Sequence, residues 1–132
     1  VTPFRIEIQL GLPIVDQIVY AATRAIVGGQ IQPGDAFPSV RALSKELRIN
    51  PNTAAKAVTE LIAAGLLEMR PGVGTVVATP PPATPEQRTA LLGQQIEELV
   101  VEARRLGIPE QELMRAVYTH YEQLTPKGKG RK

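Results

Sequence analysis

The chain has 132 residues, 43% of them hydrophobic and 21% charged, which fits one ordinary globular domain with a short appendage. With no cysteine it can form no disulfide, thiolate nucleophile or zinc–cysteine centre, and no apolar run approaches the roughly 18–20 residues of a membrane span. The formal net charge is only +2, and residues 1–78 hold seven Lys and Arg against six Asp and Glu, so bulk charge does not mark a nucleic-acid binder.

In chain order, residues 4–9 alternate apolar and polar and predict a short strand. Pro13 then opens a first helix with Ile14, Ile18, Ala22 and Ala25 on one face, ending at Gly28-Gly29. Residues 30–35 read as a turn around Pro33-Gly34. A second, short helix is predicted over residues 40–47, with Ser39 as its N-cap. After the break at Arg48-Ile49-Asn50-Pro51, Asn50 can cap a third helix and Pro51 suits its first position, where a missing N–H costs nothing. That helix carries Ala54, Ala57, Val58 and Leu61 inward and Asn52, Lys56 and Thr59 outward, and stops at Gly65. Two helices joined by so short a turn predict a helix-turn-helix. The β-like runs 66–69 and 75–78, separated by Arg70-Pro71-Gly72-Val73-Gly74, predict a hairpin that would serve as a wing.

Residues 79–85 form a proline-rich linker, the expected boundary of a DNA-binding domain over residues 1–78. Beyond it Thr84, Pro85 and Gln87 make a capping-box start. Leu92, Ile96, Leu99, Ala103 and Leu106 then recur at alternating steps of four and three, a heptad-like seam. Gly107 ends this helix, and Pro109 opens a last one with Met114, Val117, Tyr121 and Leu124. Two helices cannot cover both seams by packing on each other, so residues 86–125 predict a two-helix dimerisation arm. Residues 126–132, with Lys127, Lys129, Arg131 and Lys132, predict a disordered basic tail. The expected architecture is mainly α with a small β-wing.

Charge placement points to DNA. Arg41, in the first turn of the second helix, can fork onto a phosphate or onto guanine O6 and N7, although a solvated helix arginine would look the same. Asn50, Asn52, Thr53 and Lys56 crowd the start of the third helix, the end that enters the major groove in a helix-turn-helix. Capping alone accounts for Asn50 and Ser39, while Lys56 lies opposite the core. On the wing, Arg70 supplies charge, Gly72 and Gly74 let backbone approach DNA, and Thr75 offers a hydroxyl; an ordinary hairpin needs the glycines too. The lone His120 has no cysteine or second histidine to share a metal, Gly72-Val73-Gly74 is too short for a phosphate-binding loop, and the paired acids at Glu97-Glu98 and at Glu110 and Glu112 lie on polar helix faces. No catalytic constellation, metal or cofactor is expected.

Several of these motifs together resemble the GntR family of bacterial transcription regulators. The resemblance covers about residues 12–77. Its strongest piece is Gly34-Asp35-Ala36-Phe37-Pro38-Ser39-Val40-Arg41-Ala42-Leu43, similar to the family's Gly-Asp-x-Leu-Pro-Ser-x-Arg-x-Leu. Pro13-Ile14-Val15-Asp16-Gln17-Ile18, Glu60-Leu61, Gly65-Leu66-Leu67 and Gly72-Val73-Gly74-Thr75 follow its pattern in order. The short helical tail and Asn50-Pro51-Asn52-Thr53 with Lys56 resemble the YtrA type. Pro51 stands where the family often has an arginine or polar residue and Ala55 where it often has arginine, so two possible DNA contacts of relatives are absent. The resemblance therefore carries over the mode of binding but not the operator sequence. The lack of cysteine and of a signal-peptide core in residues 1–10 points to the cytoplasm with no membrane association. The resemblance implies a homodimer that binds a palindromic operator in double-stranded DNA and represses. It leaves open a small-molecule effector. The competing expectation is a winged-helix protein-interaction module without specific DNA binding.

Overall fold

A computed structural model describes residues 4–125; the basic tail lies outside the described residues. The chain divides into two compact units, one of the residues up to Pro80 together with Leu124 and Thr125, the other Pro81–Gln123, so Leu124 does not belong with the two-helix arm in which it was expected. Among the described residues no helix is long and apolar enough to cross a membrane.

In the first unit the order is α1 (Ile14–Val27), α2 (Val40–Leu47), α3 (Pro51–Ala63), β1 (Leu67–Arg70) and β2 (Gly74–Val77). Local chemistry fixes the helix starts. The Ser39 hydroxyl accepts the Ala42 N–H at 3.0 Å, and the Asn50 side-chain carbonyl accepts the Asn52 N–H at 2.7 Å ahead of Pro51. Helix α1 packs on α3, and α3 on α2 and β1. Their shared interior holds Ile18, Ala22 and Ala25 of α1, Leu43 of α2, and Ala54, Ala57, Val58 and Leu61 of α3, closed by Leu67 and Val77. The small alanines let α1 and α3 approach closely, and Ile18, Leu43 and Leu61 fill what remains.

The antiparallel hairpin pairs Leu67 with Val77 and Arg70 with Gly74, each strand one residue from its expected bounds. It gains a partner that periodicity did not predict. Ala36 bridges Val76, the Phe37 N–H donates to the Thr75 carbonyl at 2.9 Å, and the Val77 N–H donates to the Asp35 carbonyl at 2.9 Å. Residues 34–37 thus line the outer edge of β2, which anchors the wing to the segment that leads into α2.

The expected strand at residues 4–9 does not form. Its alternation is genuine, since Phe4 is buried and Ile6 and Ile8 are half-buried between exposed Arg5, Glu7 and Gln9. That pattern reports one covered side and not a ladder. Phe4 stacks on Phe37 with ring centroids 5.8 Å apart, and the Gln17 side-chain amide clamps both backbone groups of Gln9, at 2.8 and 3.0 Å. Residues 34–37 already occupy the outer edge of β2, so that edge is closed to such a strand.

The second unit comprises α4 (Pro85–Thr89), a π-helical segment (Ala90–Gln95), α5 (Ile96–Arg105) and α6 (Glu110–Gln123). Thr84 and Gln87 form the expected capping box, with reciprocal bonds of 3.1 and 2.9 Å. The π turn was not legible in the heptad spacing. Its wider repeat holds Leu91 as well as Leu92 near the line of Ile96, so the apolar edge there is broader than a strict heptad. Leu124, expected on the last helix, falls just past the end of α6. Pro126 in the sequence disfavours helical backbone at Thr125, which accounts for the early stop.

Candidate nucleic-acid interface

Three elements of the first unit carry the residues expected to meet DNA. On α2, Arg41 stands one residue inside the helix start and is exposed. Ser39 is exposed too, but its hydroxyl oxygen already holds the Ala42 N–H, so its first task is to fix where α2 begins.

At the head of α3, Asn50, Asn52 and Lys56 are exposed and Thr53 is half-buried. Asn50 is spent on the backbone in two ways. Its side chain caps the Asn52 N–H, and its carbonyl accepts from Thr53 and Ala54 at 3.0 and 3.1 Å. The capping reading therefore explains Asn50 without DNA, leaving its amide N–H₂ as the part still able to donate. Among the described residues no side-chain bond occupies Asn52 or Lys56, and both project from the side of α3 opposite Ala54, Ala57, Val58 and Leu61. The turn before α3 is tightly held, because the Ser44 hydroxyl donates to the Ile49 carbonyl at 2.7 Å and the Ile49 N–H donates to the Ser44 carbonyl at 3.1 Å. Ser44 is a buried polar side chain, and this bond satisfies it.

On the wing the structure assigns local partners to two of the four expected residues. Arg70 is exposed but pairs with Glu68 at 2.9 Å, so its charge is partly matched. The half-buried Thr75 hydroxyl donates across the hairpin to the Met69 sulfur at 3.0 Å. Gly72 and Gly74 take φ of 77° and 111°, where an L side chain is strained, and a Cβ at either would meet nothing within 4 Å. Backbone conformation requires both glycines, and the space beyond them is open to an outside partner. Sequence reasoning passed over Val73 at the hairpin tip, which is 69% exposed, and the exposed Lys45 and Arg48 of the helix-turn-helix. Its place between Gly72 and Gly74 marked Val73 as a turn residue and gave no sign of its exposure.

A helix-turn-helix with an amide-rich, cationic outer surface and a hairpin beside it is a surface suited to duplex DNA: cations for phosphates, amides for base edges. His120 is exposed on α6, and among the described residues no cluster of His, Asp or Glu could hold a metal.

Comparison with known proteins gives the same reading. Residues 14–77 match the family described as bacterial regulatory proteins, gntR family. The chain is 32% identical over 111 residues to an uncharacterised HTH-type transcriptional regulator, YhcF, of Bacillus subtilis strain 168, covering 84% of this chain and 88% of that one. It is 31% identical over 110 residues to the HTH-type transcriptional repressor YtrA of the same organism, covering 83% and 85%. Among solved structures, one described as a transcriptional antiterminator from Listeria monocytogenes EGD-e superposes with a TM-score of 0.78 at 27% identity, covering 92% of this chain and 91% of that one. The relatives are regulators and not enzymes, and the mainly helical fold with its two-stranded wing is the fold of these neighbours. The chain belongs to the GntR family of DNA-binding transcription regulators, and within it to the YtrA type.

Proposed function

We propose that the chain is a homodimeric repressor acting on a palindromic operator in the cytoplasm. Residues 1–78 bind DNA, residues 79–85 link, and residues 86–125 dimerise. Each protomer offers the first turn of α2 and the head of α3 to one major groove, with Arg41 on a phosphate or guanine and Asn52, Thr53 and Lys56 on base edges and backbone. Ser39 and Asn50 hold those helix starts in place, and Arg70, Gly72, Gly74 and Thr75 of the wing run along the flanking backbone or minor groove. Repression is supported by the repressor YtrA among the relatives. Membership of a DNA-binding family favours this reading over a protein-interaction module.

The observation that carries the dimer is that the second unit has almost no interior of its own. Ala103 is its only buried side chain among the described residues. Leu92, Ile96, Leu99, Leu106 and Met114 are 42–59% exposed, Tyr121 is exposed, and Val117 is half-buried. An amphipathic helix pair that leaves such a stripe in water is stable only when something covers it. A second copy of the same stripe, related by two-fold symmetry, does so and sets two recognition helices on two half-sites.

Sedimentation velocity tests this directly. The native chain should sediment as a dimer, and the double variant Ile96→Asp, Leu99→Asp as a monomer, because carboxylates in an apolar seam are strongly disfavoured. Without the second, tethered half-site, operator binding should weaken by roughly a hundredfold or more. A double variant that stays dimeric places the interface elsewhere.

A further inference from the structure

Four helix ends close with the same backbone bond, from an N–H two or three residues past the helix back to the carbonyl five residues earlier, in its last turn. The pairs are Gln30 to Ala25 at 2.9 Å, Ile49 to Ser44 at 3.1 Å, Leu66 to Leu61 at 3.0 Å and Ile108 to Ala103 at 2.9 Å. This closure needs a left-handed backbone at the residue just before the donor, a position that favours glycine. Three of the four obey, with Gly29, Gly65 and Gly107 at φ of 82°, 81° and 74°. The fourth is Arg48 at φ 57°, the only non-glycine at positive φ among the described residues.

Nothing in the fold asks for arginine there. Arg48 is exposed, and no carboxylate or hydrogen-bond acceptor holds its guanidinium among the described residues. The turn itself is secured by its neighbours. Ser44 bonds both backbone groups of Ile49, and Ile49 packs against the core. The left-handed conformation is thus imposed whichever residue stands at position 48, and glycine would occupy it without strain.

Location supplies a reason. Arg48 lies in the turn of the helix-turn-helix, two residues before the Asn50 cap, while the first turn of α3 (Pro51, Asn52, Thr53) carries no charge and its first cation is Lys56. A guanidinium on a rigid turn beside an uncharged helix start is suited to a DNA phosphate, which it can grip with two parallel N–H bonds. We infer that Arg48 is a phosphate-binding residue of the DNA interface, held in a strained backbone position that glycine would fill better because its charge grips the duplex backbone beside α3. The inference rests on the reading that the head of α3 faces DNA.

The test uses full-length chains carrying Arg48→Gly or Arg48→Lys and a fluorescent duplex of fixed random sequence, titrated across a salt series, with a thermal melt of each chain. The glycine variant should melt above the native chain. It should bind roughly five- to tenfold more weakly per protomer near 0.1 M salt, its log–log salt slope shallower by about 0.9 for each phosphate it no longer neutralises. The lysine variant should keep the native slope. A glycine variant with native affinity and slope overturns the inference, as does one that melts no higher than the native chain. A native chain whose duplex binding ignores salt overturns the interface reading together with it.

Discussion

Arg41→Ala is expected to lower operator affinity by roughly one and a half to four orders of magnitude while the protein melts as before. A bidentate arginine contact to a base or phosphate contributes about 1–3 kcal/mol, and a two-fold dimer forfeits it twice. Folding should not register the change. Arg41 is exposed in the first turn of α2, and the cap that starts this helix is the Ser39 hydroxyl on the Ala42 N–H, which needs nothing from the Arg41 side chain. Fluorescence anisotropy against operator and random duplex, with a circular dichroism melt of the same sample, separates the two effects. Native operator affinity in the variant would remove Arg41 from the interface. A lowered melting temperature would mean that the side chain supports the fold.

Leu61→Ala should have the opposite profile, a loss of stability first and of binding only as its consequence. Leu61 is fully buried and among the largest side chains enclosed in the first unit. It stands on α3, which packs against α1, α2 and β1, so a cavity there loosens the packing that positions the head of α3. Truncating a buried leucine costs about 2–5 kcal/mol, a large part of the roughly 5–15 kcal/mol that holds a typical domain folded. At about 4–8 °C per kcal/mol for a domain of this size, the melting point should fall by roughly 8–40 °C. A fall of less than about 4 °C would show that the site collapses around the smaller side chain, contrary to the close packing of α1 on α3.

What the sequence revealed and what it hid divide along the range of the interactions. Helix starts were readable because the signal is local. Ser39, Asn50 and Thr84 each cap a backbone N–H within three residues, and each sits where its chemistry predicts. The inward faces of α1 and α3 were readable because helical spacing places Ile18, Ala22 and Ala25, and Ala54, Ala57, Val58 and Leu61, on single stripes. The expected strand at residues 4–9 failed because alternation records a covered side and cannot say whether a sheet edge is free. That edge was claimed by residues 34–37, which carry no strand pattern.

At the interface the sequence identified residue types and missed their commitments. It could not foresee that Arg70 pairs with Glu68 or that Thr75 spends its proton on Met69, since both depend on the hairpin register. It did separate the Asn50 that caps from the Asn52 that faces outward, because a cap is set by local backbone chemistry. The strain at Arg48 was hidden for a different reason. An arginine is unremarked in sequence, and only its backbone angle shows that it occupies a place the chain elsewhere gives to glycine.

The central claim, a dimeric regulator that recognises one operator, is tested most directly by a salt-titrated binding assay. The full chain is mixed with the DNA upstream of its own gene, against an excess of random duplex. The account predicts saturation at two protomers per site, resistance to the competitor, and an affinity that falls steeply as salt rises. Saturation at one protomer per site, or binding that random duplex removes as readily as operator, would contradict it.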